Sequence, residues 1–275
     1  MPELPEVETV ASGVHTRVQG DRILEVWLGT HKEPFKTPPA GQARGLEGRI
    51  LHSVHRTGKH IVCELSGVPA GAPTSQWIVH LGMTGRLLVT TPDAPVAPHT
   101  HARLLLKSGR EIRFVDPRRF GRLEFRDLAR GEAFAAAGAE PLTIGPEEFA
   151  ALFRHRKLAI KAALLNQALL SGVGNIYADE SLFRAGIRPR RQAGRLTRAE
   201  LERLRAALQQ VLRHAIQLGG SSVSDYVDAD GVRGFFQLEH CVYQRTGEPC
   251  RQCGVSIRRI TVAGRSTHYC PNCQR

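Results

Sequence analysis

Apolar residues change their spacing along this chain. Val7, Val10, Ala11, Val14 and Val18 recur every three or four positions, with Pro5 near the first turn and Glu6 and Glu8 close behind. That is the stripe and the start signal of an amphipathic helix, so Pro2 and Glu3 are expected just ahead of it. Between residues 20 and 126 the period shortens. "RILEVWL", "RILHSVH", "HIVCEL", "QWIVHL", "GRLLVT", "ARLLLKSGREIRFV" and "FGRLEF" are β-prone runs separated by turn residues, which predicts an antiparallel sandwich or barrel. "LKSGRE" predicts a hairpin turn, and the Pro-rich "KEPFKTPPAGQ", "GVPAGAP" and "TPDAPVAPH" predict loops.

A stretch carrying Gly and Pro, "AAAGAEPLTIGPEE", predicts a boundary near residues 135–146, and the helical period then returns. Pro146–Phe153, Ile160–Leu170, Tyr177–Ala185 and Thr197–Leu218 read as amphipathic helices, the last with Leu201, Leu204, Leu208, Val211, Leu212 and Ala215 on one face. "GGSSVSDYVDADGVRGFF" has no period and reads as a long functional loop. The expected organisation is a β-rich domain over 1–135, a linker over 136–149, a helical domain over 150–239 and a small module over 240–275.

That last module carries the strongest chemical signal. Cys250-x2-Cys253 and Cys270-x2-Cys273, sixteen residues apart, have the spacing of a closed four-cysteine zinc site with no ligand position left for water. "VSIRRITVAGRSTHY" between them alternates like two strands around Ala263-Gly264, giving a metal-pinned hairpin with Arg265 at its tip and Arg258 and Arg259 beside it. Cys63 and Cys241 lack partners at metal spacing and are expected to be core thiols.

Charge adds a partner to this picture. The 275-residue chain carries a formal net charge of +12, and the excess is uneven: 18 Lys and Arg face 17 Asp and Glu in residues 1–149, against 20 facing 9 beyond. A polyanion, nucleic acid first, is the expected partner of the second half. The 41% hydrophobic content is enough to fill two cores. No apolar run of about 18 residues and no basic-then-apolar leader occurs, so a membrane association is not expected and the cytoplasm is.

Five further segments carry candidate chemistry. "LLNQALLSGVGNIYADESLFRAGI" reads as helix, glycine turn and helix, in which converging N–H groups and a helix N-terminus form an anion cradle, with Asn175 adding an amide and Lys161 a charge. "HRTGKHIV" places Lys59, one of only six lysines against 32 arginines, after a glycine at a strand start. "HLGMTG" and "DPRRFGR" set Met83, Arg118 and Phe120 on turns, where side chains of a basic protein can wedge between bases. "MPELPE" puts a small Pro2 behind Met1, and removal of Met1 leaves a secondary amine beside Glu3.

In order and spacing, "PELPEVET", "RTGKH", "HLGMTG", "DPRRFG", "SGVGNIYADE" and the four cysteines closely resemble the bacterial formamidopyrimidine-DNA glycosylases over nearly the whole chain. The resemblance implies an α+β fold: an N-terminal helix on an antiparallel β-sandwich, then a helix-two-turns-helix domain with a C-terminal four-cysteine zinc-finger β-hairpin. It implies a bifunctional glycosylase and AP lyase that removes oxidised purines from duplex DNA through a Schiff base on Pro2. Glu3 is then the acid/base, Lys59 assists at the lesion-side backbone, and Asn175 and Arg265 clamp phosphates, Arg265 at the reacting nucleotide. His80 and Lys161 are further contacts, while Met83, Arg118 and Phe120 fill the gap left by the extruded base. Loop 219–236, with Tyr226, matches the lesion-capping segment. One structural zinc, no nucleotide cofactor, damaged double-stranded DNA as partner and a monomeric state complete the expectation.

Two other readings stay open on sequence alone. An endonuclease VIII-type enzyme for oxidised pyrimidines shares this organisation, but it typically reads Pro-Glu-Gly-Pro where this chain has Leu4. A non-catalytic zinc-ribbon nucleic-acid binder explains the charge and the cysteines and leaves "PELPE" without a purpose.

Overall fold

Glu3, in extended backbone, caps the first helix. The computed structural model describes residues 1–222 and 226–275, and the chain divides into two compact units, residues 1–135 with 219–234 and residues 136–218 with 235–275. In the first unit, α1 (Leu4–Val18) begins with a reciprocal cap: the Glu3 carboxylate accepts the Glu6 N–H, and the Glu3 N–H donates to Glu6 Oε2 at 2.8 Å. Pro5 sits in the first turn, where its missing N–H leaves no bond unmade. Leu4, Val7, Val10, Ala11, Val14 and Val18 are buried along one side.

Eight strands follow, each overlapping a run where apolar spacing predicts one: β1 (Ile23–Leu28), β2 (Ile50–Thr57), β3 (His60–Ser66), β4 (Ser75–His80), β5 (Arg86–Thr90), β6 (Thr100–Leu106), β7 (Glu111–Val115) and β8 (Arg122–Asp127). They form two four-stranded antiparallel sheets, ordered β1-β6-β7-β5 and β2-β3-β4-β8. Leu87, Leu104, Ile112 and Phe114 of the first sheet share one hydrophobic cluster with Val54, Ile61, Trp77, Val79 and Leu123 of the second and the valines of α1. This is a sandwich with a helix against it. Tyr226 and Ala229 of the returning segment join the same cluster, and Val89 N–H donates to Ala229 O at 3.0 Å.

The Pro-rich stretch after β1 is not all loop. α2 runs Pro39–Leu46, with Pro38 as cap and Pro39 in the first turn, and buries Gln42 and Leu46. Proline fixes the backbone angle that a helix start needs, so two prolines that read as a break open a helix here.

In the second unit, α3 (Pro146–Phe153), α4 (Ile160–Leu164), α5 (Asn175–Arg184) and α6 (Arg198–Gln217) precede a hairpin of β9 (Arg258–Val262) and β10 (Arg265–Tyr269). Thr197 and Glu200 form the capping box of α6, whose six expected apolar positions are all buried. α4 stops at Leu164, short of the expected Leu170. Asn166 Oδ1 accepts the Ala168 N–H, and the Gln167 amide bonds Leu165 O, Val173 O and the Gly172 N–H, so polar side chains close turns in place of further helix.

Domain limits also differ from the expected ones. Residues 136–149 are part of the second unit, where Ala139 N–H donates to Leu169 O and Ser171 N–H to Ala139 O, both at 3.0 Å. Residues 219–234 belong with the first unit, through Ser221 and Tyr226 on α1 and Ala229 on β5. Among the described residues no helix is long and apolar enough to cross a membrane.

Candidate functional site

Pro2 and Glu3 are buried, although Met1 ahead of them is 46% exposed. The start of α1 is thus held in place. Glu6 holds it from two sides, because its Oε2 accepts the Glu3 N–H and its Oε1 accepts the Ser221 N–H at 2.7 Å. At the far end of the same buried group, Tyr226 Oη donates to Glu6 O at 3.3 Å. Tyr226 is therefore a core residue with its hydroxyl bound, and burial pushes its phenol above the ordinary value. A lesion contact is the expectation at this position; in this structure the ring packs in the core beside α1. Of the expected capping loop, residues 223–225 lie outside the described residues.

Strand register gathers most of the other candidates of this unit at one end of the second sheet. Gly58 and Lys59 form the two-residue turn between β2 and β3, and His60 pairs with His80, which pairs with Arg122. Gly58 has φ +61°, which suits glycine at such a turn. Met83 lies just beyond β4, and Arg118 and Phe120 just before β8. Arg56, at the end of β2, donates to Glu8 Oε2 at 2.8 Å and so ties this sheet end to the first turns of α1.

Burial, together with the charges of His60, Lys59, Arg122 and Lys36, pulls the His80 pKa down to about 4. The ring is neutral at pH 7. Its Nδ1 accepts the Gly82 N–H at 3.2 Å, which assigns the proton to Nε2 and leaves a neutral N–H donor. Burial lowers the His60 pKa as well; its ring lies 4.8 Å from His80 and 4.6 Å from Phe134.

The turns bearing Met83 and Phe120 are built by a residue that motif reading passed over. Asp116, fully buried, accepts Thr84 Oγ1–H at 2.6 Å, Gly121 N–H at 2.7 Å and Arg118 N–H at 3.3 Å. Its own carbonyl lies 3.0 Å from His101 Nε2. The two turns also press together: a Cβ on Gly82, whose φ is +64°, would lie 2.5 Å from the Phe120 carbonyl carbon. Phe120 is 50% and Met83 38% exposed, and the Arg118 guanidinium lies 4.7 Å from the Phe120 ring centre, a cation–π distance. Two apolar side chains and a cation thus stand on a braced platform.

In the second unit, Asn175 opens α5 behind Gly172 (φ +85°) and Gly174, and its Nδ2 donates to Ser266 O at 2.9 Å. Arg265 is exposed at the start of β10, next to the turn Ala263-Gly264 (φ +48° and +73°). Lys161 differs from its expected role. It is fully buried, ion-paired with Asp179 at 2.7 Å, and donates to Ser266 O and Thr267 Oγ1, so its charge is engaged inside the fold.

The Sγ atoms of Cys250, Cys253, Cys270 and Cys273 lie within 4.8 Å of one another. Cys250–Cys273 and Cys253–Cys270 are 3.9 and 3.5 Å apart, close to the roughly 3.8 Å edge of a tetrahedron with ~2.3 Å zinc–sulfur bonds. The Gln252 and Cys273 N–H groups point at Cys250 and Cys270 Sγ. Four thiolates so placed fit one zinc with no open position, and the ion would pin the open end of the β9–β10 hairpin. Of the two remaining cysteines, Cys63 is buried and burial pushes its thiol up to about 12, as a core thiol requires. Cys241 is half-buried and packs against the small cluster that Phe183, Val242 and Ile257 form with the zinc cysteines.

Family models match the chain in three blocks: the formamidopyrimidine-DNA glycosylase N-terminal domain over residues 1–123, its H2TH domain over 138–227, and a zinc finger found in FPG and IleRS over 247–275. The formamidopyrimidine-DNA glycosylase of Solibacter usitatus is 45% identical over 275 residues, covering all of both chains. The chain belongs to the formamidopyrimidine-DNA glycosylase family. A point mutant of the Lactococcus lactis family member, solved with Fapy-dG DNA, superposes with a TM-score of 0.88 at 33% identity over the whole of both chains. MutM bound to carbocyclic 8-oxo-G DNA gives 0.86 at 33%, again over both whole chains. The zinc-finger match and the thiol geometry agree on one structural zinc.

Residues missed in sequence share a character. Glu6, Asp116, Asp179 and Glu180 are buried acids that accept N–H groups or pair with a buried lysine. Glu180 alone accepts the N–H groups of Cys241, Val242 and Tyr243 at 2.8–2.9 Å and fixes the chain's entry into the zinc module. Asp179 had one legible sign: four residues after Asn175, it shares that residue's helix face.

Proposed function

We propose that this family member is a bifunctional DNA glycosylase and AP lyase that excises 8-oxoguanine and formamidopyrimidines from duplex DNA, acting as a cytoplasmic monomer. The observation that carries the reading is the immobilised start of α1: Pro2 and Glu3 are buried, and Glu3 is bonded to Glu6, where a chain end is ordinarily frayed. Once Met1 is removed, Pro2 carries a secondary amine. An α-amino group has a pKa of about 8, so a useful fraction is an unprotonated nucleophile at neutral pH without heavy tuning.

Attack by the Pro2 nitrogen on the sugar C1′ forms the N–C1′ bond as the bond from C1′ to the base breaks, and the base leaves with a proton. Glu3 serves as the acid and base for these transfers. The amine loses its proton, the sugar ring opens, and the C1′ iminium draws electron density from C2′. Loss of a C2′ proton then expels the 3′ phosphate, and a further elimination expels the 5′ phosphate. One nucleophile therefore accounts for both base removal and strand cleavage.

Reaching C1′ requires the damaged nucleotide to leave the stack, at a cost of a few kcal/mol. Met83, Arg118 and Phe120 offset part of that by occupying the space left in the duplex. Asn175, Arg265, Lys59 and the neutral Nε2–H of His80 bind the backbone phosphates. The first unit then does the chemistry, and the strongly basic second half supplies salt-dependent grip.

The reading is tested by adding borohydride during reaction with an 8-oxoguanine duplex. Mature protein is expected to begin at Pro2 and to be trapped covalently on that residue, because reduction turns the iminium into a stable tertiary amine. A residue left ahead of Pro2 makes its nitrogen an amide, so that form should bind lesion DNA and neither excise nor trap. Full activity with a verified blocked terminus, or an adduct on Lys59, overturns the mechanism.

A further inference from the structure

The β9–β10 hairpin has a second anchor besides its four cysteines. β10 pairs with β9 along one edge, with Ser266 opposite Thr261 and His268 opposite Arg259. Among the described residues no strand pairs with its other edge, which presents backbone groups that need a partner. Side chains of α4 and α5 supply it. Lys161 Nζ donates to Ser266 O at 2.8 Å and to Thr267 Oγ1 at 2.9 Å, and Asp179 Oδ2 accepts the His268 N–H at 2.9 Å. Lys161 and Asp179 also pair with each other at 2.7 Å, both fully buried, and His268 Nδ1 lies 3.3 Å from the same carboxylate. The Ser266 carbonyl is shared, since Asn175 Nδ2 donates to it at 2.9 Å.

A buried ion pair is a poor stabiliser in itself, because an apolar pair of similar volume avoids the desolvation cost. What an apolar pair cannot do is bond a strand edge at three successive residues. Metal ligation fixes the open end of the hairpin and leaves its turn unsupported, whereas the ion pair fixes the middle, next to Arg265. Lys161 and Asn175 hold the same carbonyl oxygen one residue from Arg265, so the position of both clamp residues follows from one set of bonds.

We propose that Lys161 and Asp179 form a positioning pair that sets β10 against α4 and α5, so that Asn175 and Arg265 meet one phosphate together, and that Lys161 acts through them and does not touch DNA itself. The proposal rests on the reading of Asn175 and Arg265 as phosphate clamps.

The test uses the full-length zinc protein carrying Lys161→Met, Asp179→Leu, and both, each with and without Arg265→Ala. Either single change leaves a buried charge unpaired and lowers the thermal midpoint, so the double variant is the informative one. It is expected to regain stability and keep its zinc, yet to bind lesion duplex about tenfold more weakly. KM should rise while kcat at saturating DNA stays near wild type. Adding Arg265→Ala to it should cost far less affinity than the same change costs the wild type, because the clamp is already displaced. Wild-type affinity in a folded double variant, beside a weakened Arg265→Ala, overturns the proposal alone. Fully additive losses overturn it in favour of an independent phosphate contact by Lys161. If Arg265→Ala and Asn175→Ala themselves leave binding unchanged, the clamp reading falls and the proposal with it.

Discussion

The Glu6 carboxylate receives the Ser221 N–H at 2.7 Å on one oxygen while the Glu3 N–H occupies the other at 2.8 Å. Residues more than two hundred positions apart thus share a single acid, and the chain that returns at 219–222 is fastened to the segment that carries Pro2. Neither oxygen can be replaced by a donor without breaking one of these bonds.

Glu6→Gln is accordingly expected to lose more than a surface change would, because an amide keeps one acceptor and faces the other N–H with its own. The cost should be about 1–3 kcal/mol, read by urea unfolding. Excision should fall further than stability alone explains. Gly220→Ala should behave similarly: φ is +81°, and the added Cβ would lie 2.9 Å from Glu6 Oε1. An unaltered midpoint in both variants would show that the shared acid is not a tie.

A different outcome is expected at the turns carrying Met83 and Phe120. Phe120→Ala removes the wedge and nothing beneath it, so non-specific DNA binding and its salt dependence should persist while lesion extrusion slows. A fluorescent base analogue beside the lesion reads that step. Gly82→Ala should slow it too and also destabilise the protein, since its Cβ cannot fit against the Phe120 backbone. Asp116→Asn exchanges one acceptor for a donor among N–H and O–H donors and should mimic Gly82→Ala.

Zinc removal should act on the second unit. Cys253→Ser, or exhaustive chelation, is expected to release one zinc per chain and abolish tight DNA binding, with the salt slope reduced along with affinity. The sandwich should remain folded, because its cluster is built without any residue of the metal site. Loss of zinc with full DNA affinity would leave the hairpin without its assigned role.

Much of this was legible in the sequence, for reasons that particular residues make plain. The valines of α1, the alternating strand runs and the leucines of α6 announce themselves because one-sided burial imposes a period. The paired Cys-x2-Cys motifs announce themselves because tetrahedral ligation fixes the spacing. What stayed hidden depends on partners distant in sequence. Nothing local distinguishes Lys161 as a phosphate contact from Lys161 as half of a buried pair, because Asp179 and Ser266 decide it. Tyr226 is a second case: a tyrosine in a Gly- and Ser-rich loop matches a lesion-capping segment, and nothing local signals that Glu6 and α1 pack around it. α2 shows the limit of proline as punctuation, since the same residue that ends a helix also begins one.

His80 supplies a test by pH. Its pKa is held near 4, chiefly by burial and then by His60, Lys59, Arg122 and Lys36, so the folded state favours the neutral ring. In the unfolded chain the ring takes up its proton below an ordinary value of about 6.5. Its contribution to stability is therefore fully present above that value and declines as pH falls from about 6.5 toward 4, the unfolded state binding the extra proton throughout that window. His60 is lowered by burial and adds to the same trend, while Glu124 opposes its shift. His80→Asn should flatten the acid side of the stability profile, and the flattening should be confined to this range. In the wild type, nitrogen-15 spectra at pH 7 should show a neutral ring protonated on Nε2, as the bond from Gly82 N–H to Nδ1 requires. Because a neutral Nε2–H already suits a phosphate oxygen, lesion binding between pH 6 and 8 should show no inflection that His80→Asn removes. A ring titrating near 6.5 in the free protein would mean that it is solvated and not packed against His60, and the assignment of a neutral donor at this sheet end would fall.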